Sequence, residues 1–232
     1  MIQIAVMGYG TVGSGVVEVL STNQASIDKR VGEEVRVKYV LDLRDFPGDP
    51  VESVLVHDFE TIVNDPEVKV VVEVMGGVEP AYTFTKRCLL AGKSVCTSNK
   101  ALVAAHGAEL LQIAKDKNLN YLFEASVGGG IPIIRPLQTC LTADEIVEIS
   151  GILNGTTNYI LTQMTENGES FGTALKAAQE KGYAEADPTA DVAGIDAGRK
   201  TCILADLAFG HETPPEKVPM EGITALDLRD VA

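Results

Sequence analysis

Glu185, Asp191, Asp196 and Lys200 fall within one short stretch, Glu185-Ala-Asp-Pro-Thr-Ala-Asp-Val-Ala-Gly-Ile-Asp-Ala-Gly-Arg-Lys200. Three of them, Glu185, Asp191 and Asp196, are acids, and acids in number suit a cationic substrate group. The fourth, Lys200, can move a proton to or from a reacting oxygen. Asp196 and Lys200 are four apart, so on a helix they share a face. Most pairs of that spacing are surface salt bridges worth about 0.3–0.5 kcal/mol. Asp191 precedes an apolar periodic run and is equally suited to capping a helix.

A second chemical feature opens the chain. Gly8-Tyr-Gly10-Thr-Val-Gly13 has the spacing G-x-G-x-x-G and lies between an apolar strand and a helix, the context that a dinucleotide-binding loop needs. The first glycine permits the turn, the second lets backbone approach a pyrophosphate, and the third lets helix and strand pack closely. The N–H groups of Thr11 and Val12 at the helix start, with the helix dipole, favour an anion. The next strand ends in Leu41-Asp42-Leu43-Arg44-Asp45. An acid there holds a ribose 2′-hydroxyl and favours NAD; an arginine holds a 2′-phosphate and favours NADP. Both are present, so the preference stays open, with a lean to NADP through Arg44.

The elements that must position these residues are legible as alternation. Ile2–Met7, Val35–Leu41, Val68–Val74, Ser94–Cys96 and Asn120–Glu124 read as strands. Thr11–Leu20, Pro80–Ala91 and Ala101–Lys117 read as helices, with Pro80 in a first turn. The valine-rich run 68–74 is typical of a strand covered on both faces. Such alternation predicts an α/β fold, a parallel sheet with helices on both faces. After the glycine-rich Val127-Gly-Gly-Gly-Ile-Pro132 the pattern changes. One strand is expected at Ile146–Ile152, and helices at Thr157–Glu166, Gly172–Lys181 and Asp191–Phe209. The expected organisation is therefore a Rossmann-type domain over 1–128 followed by an α+β domain over 129–232.

Composition narrows the function classes. The 232 residues carry a formal net charge of −14, which disfavours nucleic acid and anionic membrane surfaces as partners. No apolar run is long enough to span a membrane, and no signal peptide is visible at the N-terminus. Cys88, Cys96, Cys140 and Cys202 form no C-x-x-C pair and are expected as buried thiols in a reducing cytoplasm. With His57, His106 and His211 scattered, no zinc-type ligand cluster is expected.

Six segments, in order, resemble homoserine dehydrogenase. They are Gly8–Gly13, Glu73-Val-Met-Gly-Gly77, Thr97-Ser-Asn-Lys-Ala-Leu-Val103, Glu124-Ala-Ser-Val-Gly-Gly-Gly-Ile-Pro132, Gly151-Ile-Leu-Asn-Gly-Thr-Thr-Asn158, and Lys181-Gly-Tyr-Ala-Glu-Ala-Asp-Pro188 continuing to Lys200. The resemblance implies interconversion of L-homoserine and L-aspartate 4-semialdehyde with NAD(P)(H), a step toward threonine, methionine and isoleucine. It implies Lys200 as the proton-transfer lysine, Lys100 near cofactor and substrate, and Glu185, Asp191 and Asp196 around the substrate. It further implies Gly182 as a backbone cofactor contact. Glu124, with the carbonyls of Val127, Gly129 and Ile131, corresponds to a monovalent-cation site, Na⁺ by its oxygen donors. A homodimer or higher homo-oligomer is implied as well, with 129–232 as the substrate-binding and dimerisation domain, incomplete here.

Family members usually run some hundred residues longer, so a chain stopping at Leu226-Asp-Leu-Arg-Asp-Val-Ala232 is expected to be a truncated chain or fragment. Two other readings follow: a cofactor-binding or oligomerising fragment without catalysis, and an oxidoreductase acting on another amino-acid semialdehyde.

Overall fold

The computed structural model describes residues 1–230; the last two positions of the expected second domain, Val231 and Ala232, lie outside the described residues. The chain forms two compact units, Met1–Ile133 and Ile134–Ala232.

The first unit is built on a six-stranded sheet of β1 (Ile2–Met7), β2 (Val35–Leu41), β3 (Leu55–Val56), β4 (Val68–Glu73), β5 (Ser94–Thr97) and β6 (Tyr121–Leu122). All pairings are parallel, in the order β3-β2-β1-β4-β5-β6. β-branched residues fill the central strands, where they pack well on a pleated surface. Ala5, Val6 and Met7 of β1, and Val71 of β4, are fully buried. The helices that carry the chain between strands include α1 (Thr11–Thr22), α2 (Gln24–Val31), α3 (Phe59–Val63), α4 (Ala81–Leu90) and α5 (Lys100–Asp116).

Register decides what this sheet can do. Met7 pairs with both Leu41 and Glu73, and Glu73 pairs with Thr97. The C-terminal ends of β1, β2, β4 and β5 therefore stop at one level. The loops that follow them (8–10, 42–46, 74–80 and 98–99) emerge together along one edge. Strand order reverses between β1 and β4, and in open α/β sheets the ligand crevice lies at that switch point.

In the second unit the described elements are helical: α6 (Ile134–Thr139), α7 (Gly155–Asn167), α8 (Phe171–Glu180), α9 (Thr189–Val192) and α10 (Ile195–Phe209). Ile160 and Met164 of α7 pack on Ala174 and Ala178 of α8, with Ala184 and Val192 completing the cluster. The alanines allow the two helices to approach closely. Ser170 caps α8 by accepting from the Thr173 N–H, and Gly168, in the left-handed region at φ +66°, ends α7.

Two expectations are corrected here. The segment Ile146–Ile152 forms no strand, and Val147 and Ile152 stand 87% and 78% exposed. A strand needs a ladder partner, and all strands among the described residues lie in the first unit's sheet. The helix expected over Asp191–Phe209 is two helices. Gly194, at φ +79°, breaks it between α9 and α10, and a side chain there would meet the Glu221 carbonyl at 2.9 Å. Smaller differences follow local chemistry. Pro80 takes the N-cap of α4 rather than its first turn, and the last strand shortens because Glu124–Ser126 turns into a 3-10 helix. Cys140 is exposed just beyond α6, against the expectation of burial, while Cys88 and Cys202 are buried and Cys96 half-buried; all four are free thiols.

Candidate functional site

The glycines of the opening loop have three distinct local reasons. Gly8 turns at φ +100° with the Val74 carbonyl 3.0 Å from where a Cβ would stand. At Gly13 a Cβ would fall 1.9 Å from the Gly8 carbonyl oxygen, so the start of α1 rests directly on the loop. At Gly10 nothing lies within 4 Å: its bare backbone faces open space, as an approaching pyrophosphate requires. Thr11 begins α1, and Val12 beside it is half-exposed.

Beyond the loop lies a cavity of about 510 Å³ lined by Gly8, Gly10, Asp42, Arg44, His57 and Met75, among others. Asp42 accepts the Tyr9 N–H at 2.8 Å, which ties the end of β2 to the glycine loop. Arg44 grips the same carboxylate through Nε and Nη2, both at 3.0 Å, and Nη2 donates to the Tyr9 carbonyl at 3.2 Å. That guanidinium holds the Asp42 carboxyl well below the usual carboxylate range. Sequence reasoning left the acid and the arginine as rival ribose ligands. In the structure they are one unit, with Asp42 committed to the loop and the 62%-exposed Arg44 at the rim. His57, set aside in the sequence as a scattered histidine, joins this rim: Nδ1 lies 2.7 Å from the Asp42 carbonyl and Nε2 3.1 Å from Asp45.

Lys100 is the first residue of α5, directly after its N-cap Asn99. The helix dipole disfavours a cation there, so helix stability is not what this lysine serves. Glu124 accepts the Ile133 N–H at 2.6 Å. The turn containing Val127, Gly129 and Ile131 closes through an Ile131 N–H bond to the Gly128 carbonyl, with Gly128 and Gly129 at positive φ.

In the second unit Lys200, Asp196 and Asp191 gather around Asn154. The Lys200 ammonium donates to the Leu153 carbonyl and pairs with Asp196 Oδ2, each at 2.7 Å. Asn154 Nδ2 donates to Asp191 Oδ1 at 2.7 Å and to Asp196 Oδ2 at 2.9 Å. Its Oδ1 accepts the Thr157 N–H at 2.8 Å and so caps α7. That set of partners fixes the orientation of the amide, because its nitrogen must face the carboxylates and its oxygen the N–H. Asp196 is 1% exposed, so its pair with Lys200 is no surface salt bridge. Asp191 sits within α9 and caps nothing; its carboxylate serves Asn154.

The ammonium has three N–H donors. Two are engaged by Leu153 and Asp196, which leaves one for an oxygen brought to it. Glu185, by contrast, is exposed in the loop between α8 and α9, where its carbonyl accepts from Gln179. Gly182 ends α8 at φ +74°, and nothing lies within 4 Å of its would-be Cβ. Asn154 is the member of the cluster that the sequence presents only within the segment Gly151–Asn158, just ahead of an expected helix. Its N-cap character was readable there; its reach to acids 37 and 42 positions away was not.

Comparison with known proteins covers both units. Residues 8–124 match the family model described as "Homoserine dehydrogenase, NAD binding domain", and residues 132–232 the one described as "Homoserine dehydrogenase". The homoserine dehydrogenase of Synechocystis sp. is 46% identical over 234 residues, covering 100% of this chain and 54% of that protein. A crystal structure of the Thiobacillus denitrificans enzyme is 42% identical with a TM-score of 0.90, over 99% of this chain and 54% of that one. A hyperthermophilic archaeal homoserine dehydrogenase solved with NADPH is 30% identical, TM-score 0.84, over 98% of this chain and 76% of that one. The chain spans about half the length of the curated relatives it matches.

Proposed function

The chain belongs to the homoserine dehydrogenase family, and from that premise we propose that it interconverts L-homoserine and L-aspartate 4-semialdehyde with NADP(H) or NAD(H). The observation that carries the proposal is the Lys200 amine, held by a buried aspartate and a carbonyl with one N–H donor to spare. A bound nicotinamide would supply the hydride; every other part of the chemistry falls to the chain.

Residues 1–128 serve the nucleotide. Gly8, Gly10, Thr11, Val12 and Gly13 receive the pyrophosphate, and the open space at Gly10 fits that group. Arg44, at the cavity rim, takes a ribose 2′-phosphate, which favours NADP; the archaeal relative solved with NADPH supports the same lean. Lys100 and the Gly182 backbone are further contacts to the cofactor.

Residues 129–232 serve substrate and dimerisation. Lys200 gives a proton to the oxygen that gains charge on aldehyde reduction and takes it back on alcohol oxidation. Asp196 and Asn154 hold that amine in place. Asp191, in the same cluster, and Glu185, exposed on its loop, answer the substrate's α-ammonium. Glu124 and the Val127, Gly129 and Ile131 carbonyls form an all-oxygen set suited to a monovalent cation such as Na⁺. Such an ion would brace the chain rather than react. The four free thiols suit a reducing cytoplasm, and a homodimer is the expected assembly. Among the described residues no helix is long and apolar enough to cross a membrane.

The test is spectrophotometric. Purified chain with L-homoserine and NADP⁺ at alkaline pH should raise absorbance at the reduced-nicotinamide wavelength. Nucleotide binding without turnover would identify a cofactor-binding fragment. Turnover with another amino-acid semialdehyde alone would move the assignment to that substrate.

A further inference from the structure

Glu73 is fully buried at the end of β4, yet it is a carboxylate. Burying a carboxylate is costly unless hydrogen bonds satisfy it. The donors it has gathered come from the last residue of β5 and from the loops that follow β4 and β5. Oε1 accepts the Met75 N–H at 2.8 Å and lies 3.5 Å from Asn99 Nδ2; Oε2 accepts the Thr97 hydroxyl at 2.6 Å.

Those partners bind one another. Thr97 Oγ1 accepts the Asn99 N–H at 2.9 Å. Asn99 Nδ2 donates to the Gly77 carbonyl at 2.6 Å, and Asn99 Oδ1 accepts the Leu102 N–H, capping α5 at the turn that begins with Lys100. Gly76 and Gly77 stand at φ +82° and +73°, conformations that their own backbones do not enforce. One carboxylate thus fixes the glycine pair of one loop and the first turn of α5.

Its place in the sheet says what that serves. The fingerprint loop after β1 receives the pyrophosphate, and Arg44 after β2 the adenosine side. β4 and β5 lie across the switch point from β2, so the other nucleoside of a dinucleotide passes over their ends. We propose that Glu73 is a positioning residue for the nicotinamide half of the bound cofactor, acting through the Met75–Gly77 loop and the Asn99-capped start of α5. The inference rests on the nucleotide reading above and adds a residue that touches neither loop 8–13 nor Arg44 in the bonds described.

A ligand-length comparison tests it. Glu73→Gln keeps the shape but places an amide NH₂ where an acceptor is needed. Dissociation constants are measured for NADP⁺ and 2′,5′-ADP, and for NAD⁺ and 5′-AMP, by calorimetry on the 232-residue chain. The expected result is a loss of about tenfold or more for the preferred dinucleotide with its adenosine fragment changed by less than about twofold. Equal weakening of dinucleotide and fragment overturns the proposal in favour of general loosening, and no weakening of either overturns it outright. If Glu73→Gln fails to fold, Thr97→Val, which deletes the hydroxyl that links Glu73 to Asn99, must give the same selective loss. A wild-type chain that binds neither ligand overturns the nucleotide reading itself.

Discussion

Asn154 shows how much one side chain organises. It caps α7, separates two carboxylates and helps hold the aspartate that pairs with Lys200. Asn154→Ala removes the cap and the donors to half-buried Asp191 and buried Asp196, so it should lower unfolding stability by about 1–3 kcal/mol, read from a urea midpoint. Asn154→Asp keeps a capping oxygen but adds a third carboxylate. Like charges raise the folded pKa of that group above its unfolded value, so folding favours the protonated form and the penalty grows with pH. The Asn154→Asp deficit should therefore be larger at pH 7 than at pH 4; an equal deficit at both would show that charge is not the cause. The Asp196–Lys200 spacing was readable from the sequence because helical neighbours four apart share a face. Its burial was not readable, because it depends on Leu153 and Asn154, more than forty residues away.

At the scale of elements the opening loop offers the sharpest contrast. Gly13→Ala would drive a methyl into the Gly8 carbonyl, which sits 1.9 Å from its position. It should cost about 1–3 kcal/mol in a thermal or urea melt. Gly10→Ala meets nothing, so stability should hold within about 0.5 kcal/mol while dinucleotide affinity falls. Reversed effects would discredit the assigned loop. β1 and β2 have the limits expected of them: β1 is a near-continuous apolar stretch, as a strand covered on both faces is, and β2 carries apolar residues interrupted by Arg36 and Lys38. Two other elements were not readable in that way. The break at Gly194 reflects its positive φ against the Glu221 carbonyl, a contact of tertiary origin. The apolar alternation at 146–152 reads as a strand but finds no ladder partner among the described residues, and a strand is a property of pairs.

Across the whole molecule, acid should loosen the first unit through identifiable groups. Lys38 lies 2.6 Å from Asp65 and brings its carboxyl down to about 2, and Arg44 depresses Asp42 likewise. Both folded pKa values lie below the unfolded one, so each contribution is complete above the ordinary aspartate value and is lost as pH falls toward the folded value. Melting temperature should drop between about pH 4 and pH 2. Asp65→Asn should be less stable at neutral pH and show a flatter decline; an unchanged slope would remove this pair from the acid response. The fold class was legible because alternating strand and helix leaves few topologies. The identity of the chemistry rested instead on motif likeness, since acids and a lysine alone permit a surface salt bridge as readily as a catalytic pair. The most direct measurement is L-homoserine oxidation by wild type and Lys200→Ala side by side, with NADP⁺ affinity measured for both. Turnover by the wild type, none by the variant and equal nucleotide affinity are expected; a Lys200→Ala chain with near-normal kcat would remove Lys200 from the chemistry.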